Sequence, residues 1–428
     1  MADEEAWNMY ITGSAGTGKT TGLAEHVKYC IDNEIPYLVT AFTHKACGIL
    51  RSKLPAGAKV TTLHSFLGKR PCINTNATKK EHVSTNTKHG ETNDEPKVLF
   101  LDEYSMVGEK DYLDIVAAQD SDYDAIPELK VVWLGDPHQL PPVGDMPAVV
   151  PNGPYQVKLT KIWRNDNPLQ LPLNALISYL EGTEQPAALQ PVDNYFIRGV
   201  NLVEQYKNCT DDKVLLAFTN KRVESLNAEI AGKQQPDISD DLFSPTTQHH
   251  YKFLGWIERP TYIDTHYGDP IHLGSKYKTL ENLIDSGICK FAAVEDLDGQ
   301  VWQFATVFGH YEYKINKEQL EYAAVESNKA IENQYKGYKA AGWARANPRT
   351  LLARTRSKAW RDCLSFKDCV VCLDFPYAMT VHKSQGSTFN TVFVDTDDIA
   401  VCAERNFTMY LKLTYVAISR ASQKVFTC

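Results

Sequence analysis

Short apolar runs set apart by longer polar-periodic stretches give this chain its rhythm. Residues 37–42, 98–101 and 131–134 are such runs. Four to six apolar residues between turn-formers suit a buried parallel strand, because neighbouring layers cover both of its faces. Residues 7–11 read as a further short strand, and residues 21–31 after them as a helix. A comparable set recurs further on, at 214–218, Val370–Leu373 and 392–394. Two stretches break the rhythm. Residues 68–96 are rich in Lys, Asn, Thr and His and hold no aromatic residue, so they read as a polar loop or small excursion. Residues 236–368 are aromatic-rich: Trp256, Tyr262, Tyr267, Trp302 and Phe304 sit near β-like alternation, and a charged helix is predicted over 318–341. The pattern predicts an α/β fold in two units, each carrying an insertion.

Length and charge narrow this further. At 428 residues the chain exceeds one compact core, so two to four domains are expected. No stretch approaches a membrane-spanning run. The N-terminus is acidic (Asp3, Glu4, Glu5) and lacks a basic-then-apolar leader, so a cytoplasmic location is expected, a host's cytoplasm if the chain is phage-encoded. A net charge of −8 argues against an all-over nucleic-acid-binding coat but leaves room for a local positive channel. Ten cysteines are scattered. Cys369 and Cys372 have C-x-x-C spacing, but they lie in an apolar, β-branched run, Cys369 to Phe375, that reads as a buried strand, and no second pair exists, so they read as structural rather than metal-binding.

The chemistry begins at Gly13-Ser14-Ala15-Gly16-Thr17-Gly18-Lys19-Thr20, a complete Walker A phosphate loop between a strand and a helix. Glycines let backbone amides turn inward around phosphates, and the helix N-terminus adds positive potential. Lys19 would neutralise the β- and γ-phosphates, and the Thr20 hydroxyl would ligate Mg²⁺, with Thr21 next in the same turn. Asp102 and Glu103 end the run 98–101 as a Walker B pair. Asp102 suits Mg²⁺, and Glu103 is placed to deprotonate the attacking water. Gly135-Asp136-Pro137-His138-Gln139-Leu140 follows another strand, where Gln139 can read a γ-phosphate. Arg420 and Arg164 are arginine-finger candidates, because a guanidinium offers fixed donors to developing phosphate charge.

In this order the motifs resemble those of superfamily 1 helicases, most closely the 5′-to-3′ RecD/Dda-like branch. Thr40 to Ala46 resembles motif Ia, Thr61-Thr62-Leu63-His64-Ser65 motif Ib, and Asp102-Glu103 motif II. Residues 135–140 resemble motif III, Arg164 stands at motif IV, His382-Lys383-Ser384-Gln385-Gly386 resembles motif V, and 415–421 motif VI. The resemblance implies two RecA-like P-loop domains, 1–66 with 97–165 and 166–235 with 369–428. It also implies a pin-like insertion at 67–96 and, at 236–368, a β-rich insertion forming a small SH3-like barrel with helical additions. It implies ATP and Mg²⁺ as cofactors, with residues 13–21, Gln139 and Gly386 around the nucleotide. Single-stranded and forked duplex DNA are the implied partners, alongside single-strand-binding or replication proteins, for a monomeric motor. Thr43, His44, Thr62, His64, Asn220, Thr380, His382 and Lys383 match strand-contact positions. An RNA helicase of the same superfamily and a non-motor P-loop NTPase are the competing readings. Two departures stand out. The polar segment has no aromatic wedge, Phe66 lying just before it. The residues before Gly13 hold no glutamine to read adenine, and Tyr10 is not assigned that task. Trp256, Trp302 and Tyr311 read either as base-stacking platforms or as core aromatics.

Overall fold

In a computed structural model, the apolar runs of the first half become neighbouring strands of one sheet. The structure describes residues 8–14, 16–73, 80–84, 96–119, 129–142, 148, 155–161, 168–247, 249–265, 271–272, 278–340 and 358–428. The chain divides into two units: Met1–Cys72 with His82–Phe218 and Thr380–Cys428, and Ile73–Glu81 with Thr219–Met379. Among the described residues no helix is long and apolar enough to cross a membrane.

The first unit holds two sheets. The larger runs in the order Val60–Thr62, Tyr37–Ala41, Val98–Leu101, Lys130–Gly135, Asn8–Gly13, Gln156–Leu159, with every neighbour parallel. Alternation sends Tyr10, Leu99, Leu101, Val131 and Trp133 into one core and Ile11, Val39, Phe100, Val132 and Leu134 into another. Both faces of the central strands are therefore covered, which is why Tyr37–Ala41, Val98–Leu101 and Lys130–Gly135 read as apolar runs. Tyr10 stacks on Trp133 and is buried, away from any base-reading task. Phe66 is buried in the same core, so no wedge stands there. The second sheet places Lys213–Ala217, Phe389–Val394, Ala421–Thr427 and Phe196–Ile197 side by side in parallel. Its outermost strand, Ala378–Thr380, is where the chain re-enters the first unit. The helix Phe407–Ser419 carries buried Leu411, Leu413, Tyr415 and Val416.

The second unit is built on five strands in the order Asp241–Phe243, His250–Ile257, Lys290–Asp296, Val301–Phe308, Val370–Leu373. The first four pair antiparallel and the last joins in parallel. Phe243 and Asp374 then exchange backbone hydrogen bonds of 2.8 and 3.0 Å, so the first strand meets the end of the last and the sheet closes into a small barrel. Val371 and Leu373 point into its core, while Val370 and Cys372 pack outward with Phe366 of the helix Lys358–Cys369. The sequence pattern predicts Val370–Leu373 as a strand of the second parallel sheet. It pairs with Val301–Phe308 instead, because an unbroken apolar strand satisfies any sheet buried on both faces. Cys369 and Cys372 are buried, and no metal-holding cluster forms among the described residues. Within the polar segment, Lys69–Ile73 and Lys80–Ser84 form a two-stranded sheet.

Candidate nucleotide cleft and strand-contact positions

Gly13 ends its strand where nothing larger fits. A Cβ there would lie 2.5 Å from Thr17 Oγ1 and 2.9 Å from the Leu159 carbonyl oxygen. Gly16 and Gly18 stand at φ 83° and 89°, the left-handed region that turns the loop into the helix Lys19–Asp32. Lys19 Nζ donates to the Gly13 and Ser14 carbonyls at 2.6 and 3.0 Å. Thr17 Oγ1 donates to the Ser14 carbonyl at 2.9 Å. The carbonyls of Gly13 and Ser14 are thus satisfied by the loop's own side chains.

Around it lies a cleft of about 580 Å³, wholly within the first unit. Gly16, Gly18, Lys19, Thr20 and Thr21 line one side, Asp102, Glu103 and Gln139 the floor, and Gly386, Ser387, Thr388 and Arg420 come from the late part of the chain. Five motifs more than four hundred residues apart end to end therefore face one cavity. Ser14 adjoins it, and Ala15 lies outside the described residues, as does Arg164.

The acids are arranged for a cation. Burial and the neighbouring charge of Glu103 push the Asp102 pKa up to about 7, against the pull of Lys19. Glu103 stands at φ 60°, an uncommon conformation for a residue with a side chain. Its Oε2 is buried and meets no hydrogen-bond donor among the described residues. Two crowded carboxylates, one with an unmatched oxygen, fit a divalent ion with hard-oxygen preference beside the Thr20 hydroxyl. Gln139 is buried, and its Oε1 accepts from Gln385 Nε2 at 3.4 Å. Arg420 is only 4% exposed. Its Nε donates to the Val416 carbonyl at 3.2 Å and its Nη2 to Ser419 Oγ at 2.9 Å.

Sequence reasoning missed several lining residues. The Ser387 hydroxyl is buried at the cleft with no hydrogen-bond partner among the described residues. Ala46, Ile49, Leu50 and Lys53 form a helical stripe along one wall. Their three- and four-residue spacing is visible in the sequence, but only knowledge of which way the helix faces turns that spacing into a wall.

The strand-contact candidates share one local design. Thr43, Thr62 and Thr380 each end a strand or its turn and cap the following helix, accepting from the backbone amides of Ala46, Ser65 and Lys383 at 3.0, 3.2 and 3.4 Å. Thr219 caps the helix Asn220–Ala231 of the second unit in the same way, so Asn220 occupies its first turn. The His44 side chain lies outside the described residues. His64 sits edge-on to Phe42, with Nε2 3.4 Å from Asp111 Oδ2. Asp111 also holds Lys69 Nζ at 2.6 Å, and Asp114 is a second partner of that amine. Desolvation opposes the Asp111 charge, but hydrogen bonds from His64 and Lys69 outweigh it and bring the pKa down to about 2. Burial lowers the His382 pKa, and the ring lies against Phe218, while Lys383 is exposed. On the barrel, Trp302 stacks on Phe304 and donates to Asp296 Oδ2 at 2.8 Å, and Trp256 packs beside Phe253. Both belong to the margin of the barrel core.

Comparison with known proteins agrees with this geometry. Residues 2–145 match the family described as AAA domain, and residues 375–427 match the UvrD-like helicase C-terminal domain. An uncharacterized protein of Acanthamoeba polyphaga mimivirus is 24% identical, over 97% of this chain and 94% of that protein. The ATP-dependent DNA helicase Pif1 of Psychrobacter sp. (strain PRwf-1) is 32% identical over 145 residues, 32% of this chain and 20% of that protein. In fold, the crystal structure of Pif1 helicase from Candida albicans is similar with a TM-score of 0.50 and 17% identity, covering 100% of this chain and 94% of that one. The cleft's ordered motifs, the two domain matches and these likenesses support a superfamily 1 helicase of the Pif1/RecD-like branch.

Proposed function

We propose that this protein is an ATP-dependent 5′-to-3′ DNA helicase that moves along single-stranded DNA and separates duplexes. The observation that carries the reading is the single cleft that gathers the phosphate loop, Asp102, Glu103, Gln139, Gly386 and Arg420. Lys19, freed from the loop carbonyls, pairs with the β- and γ-phosphates. Thr20 and Asp102 would hold Mg²⁺, which would supply charge neutralisation to the phosphate oxygens. Glu103, close by with an unmatched oxygen, takes the proton of the attacking water. Gln139 senses the γ-phosphate, and Arg420 turns from Ser419 toward the charge that grows in the transition state. Arg164 is assigned a second cationic role by its motif position. Ser14, Thr17, Thr21 and Gly386 complete the nucleotide's surroundings.

The capping threonines, with His64, His382, Asn220 and Lys383, offer donors and helix N-termini to a strand's phosphates without reading bases. Forked DNA is the substrate, single-strand-binding proteins are the partners in kind, and the motor acts as a monomer. The test uses two partial duplexes, one with a 5′ and one with a 3′ overhang, each with DNA or RNA loading strands, ATP and Mg²⁺. Separation only from the 5′ DNA overhang is expected. Separation from the 3′ overhang reverses the polarity. RNA-only activity favours the RNA-helicase reading, and hydrolysis indifferent to nucleic acid favours a non-motor NTPase.

A further inference from the structure

Asp136 is fully buried, and nothing in the nucleotide chemistry uses it. It sits three residues before Gln139, on the loop that leaves the strand Lys130–Gly135. Its Oδ2 accepts a 2.6 Å hydrogen bond from the hydroxyl of Tyr415, which is itself 1% exposed. Its Oδ1 accepts from the His138 amide at 3.0 Å and lies 3.2 Å from His138 Nδ1. The same loop is gripped a second time, where Lys412 Nζ donates to the Pro137 carbonyl at 3.0 Å. Lys412 and Tyr415 are three residues apart, so one face of the helix Phe407–Ser419 holds the loop at two points. Arg420 caps the C-terminus of that helix.

We infer that the Asp136–Tyr415 hydrogen bond positions Gln139 and Arg420 relative to each other across the nucleotide cleft. The inference rests on the ATPase reading above and deepens it. Gln139 comes from the first sheet's loop and Arg420 from the helix over the second sheet, and this bond is the short buried path between those two carriers. The ring of His138 packs edge-on to the ring of Tyr415, which fixes the phenol's direction. A hydrogen bond to a buried carboxylate is stronger and more directional than one between neutral groups. It therefore suits a latch that keeps register while Arg420 swings from Ser419 to a phosphate. Asp136 and Tyr415 are positioning residues, since neither lines the cleft.

The experiment is Tyr415→Phe in the full chain, with ATP turnover measured at saturating single-stranded DNA. It keeps the ring and removes only the donor. The expected result is a fall in kcat of about tenfold with KM for ATP within about twofold, because misplacement of transition-state groups appears in kcat. Thr414→Val is the matched control. That hydroxyl is also buried on the same helix and donates to the Tyr410 carbonyl at 2.9 Å, but it does not touch the loop. Its kcat is expected to stay within about twofold of the unaltered protein. Unchanged kcat in Tyr415→Phe overturns the inference, as does an equal loss in Thr414→Val, which would assign the effect to helix stability. An unaltered chain that binds ATP and never hydrolyses it refutes the ATPase reading, and the inference with it.

Discussion

Glu103 shows what a single residue contributes and what the sequence says of it. Its position after an apolar strand and beside Asp102 marks it as an acid of the Walker B kind. Its φ of 60° and its unmatched Oε2 are visible only in three dimensions. Glu103→Gln keeps size and polarity but removes the base. ATP binding is expected to hold within about threefold while turnover falls by roughly 10²-fold or more, the range general-base catalysis supplies. Nucleotide titration beside steady-state hydrolysis checks this, and near-normal turnover would transfer the base role elsewhere. The cleft residues at fixed motif spacing, from Gly13 to Arg420, were legible because phosphate chemistry demands those types in that order. Ser387 and Lys53 were not, because a cavity wall has no spacing rule. Tyr415 was legible as part of a motif, but its bond to Asp136, 279 residues away, was not.

Elements were legible where local physics decides them. Four strands of the large parallel sheet, Asn8–Gly13, Tyr37–Ala41, Val98–Leu101 and Lys130–Gly135, fall where apolar runs predict them, whereas Val60–Thr62 and Gln156–Leu159 carry no such run. The helix predicted over 318–341 in fact begins at His310 and runs to Ala340. Its start is set by distant acids: Glu224 Oε2 accepts from the Tyr311 amide at 2.9 Å and Asp374 Oδ2 from the His310 amide at 3.2 Å. A cap supplied from 64 or 87 residues away leaves no trace in the local pattern. The barrel's closing bridge and the paired strands within 68–96 were hidden for the same reason. The cap also titrates. Burial, with the charge of Glu224 adding to it, raises the Asp374 pKa to about 7, and burial raises that of Glu224 as well. An acid whose pKa is higher folded than unfolded contributes stability that is complete below about pH 4 and is lost as pH rises through about 7. Melting temperatures of the unaltered protein and Asp374→Asn, measured from pH 4 to pH 8, are expected to converge as pH rises. Converted to unfolding free energy, their difference changes by at most about 1.4 kcal/mol per pH unit. Parallel curves would mean that Asp374 is ionised throughout.

At the scale of the whole molecule, charge sets how a strand can be held. The chain carries −8 overall, so its field repels DNA and the grip must be local. Among the assigned strand-contact positions, Lys383 alone is a permanent cation. Burial keeps His382 toward its neutral form, and Thr43, Thr62, Thr380 and Asn220 bring uncharged donors. Each neutralised phosphate releases bound counterion, and the affinity of a single strand falls with salt at a slope of about −0.7 per phosphate contact to a cation. With Lys383 as the one permanently cationic contact, the slope of log K against log salt is expected to be about −0.7. A strand held by six to ten lysines and arginines would give about −4 to −7. Binding of a fluorescent oligothymidine, titrated between about 50 and 200 mM salt, measures the slope directly. A value of about −1 or shallower fits a strand held by Lys383 with helix N-termini and hydroxyls, whose dipoles release no counterion. A value steeper than about −4 would place the strand on cationic groups outside these positions, and the strand path assigned here would be wrong even if the nucleotide cleft is right.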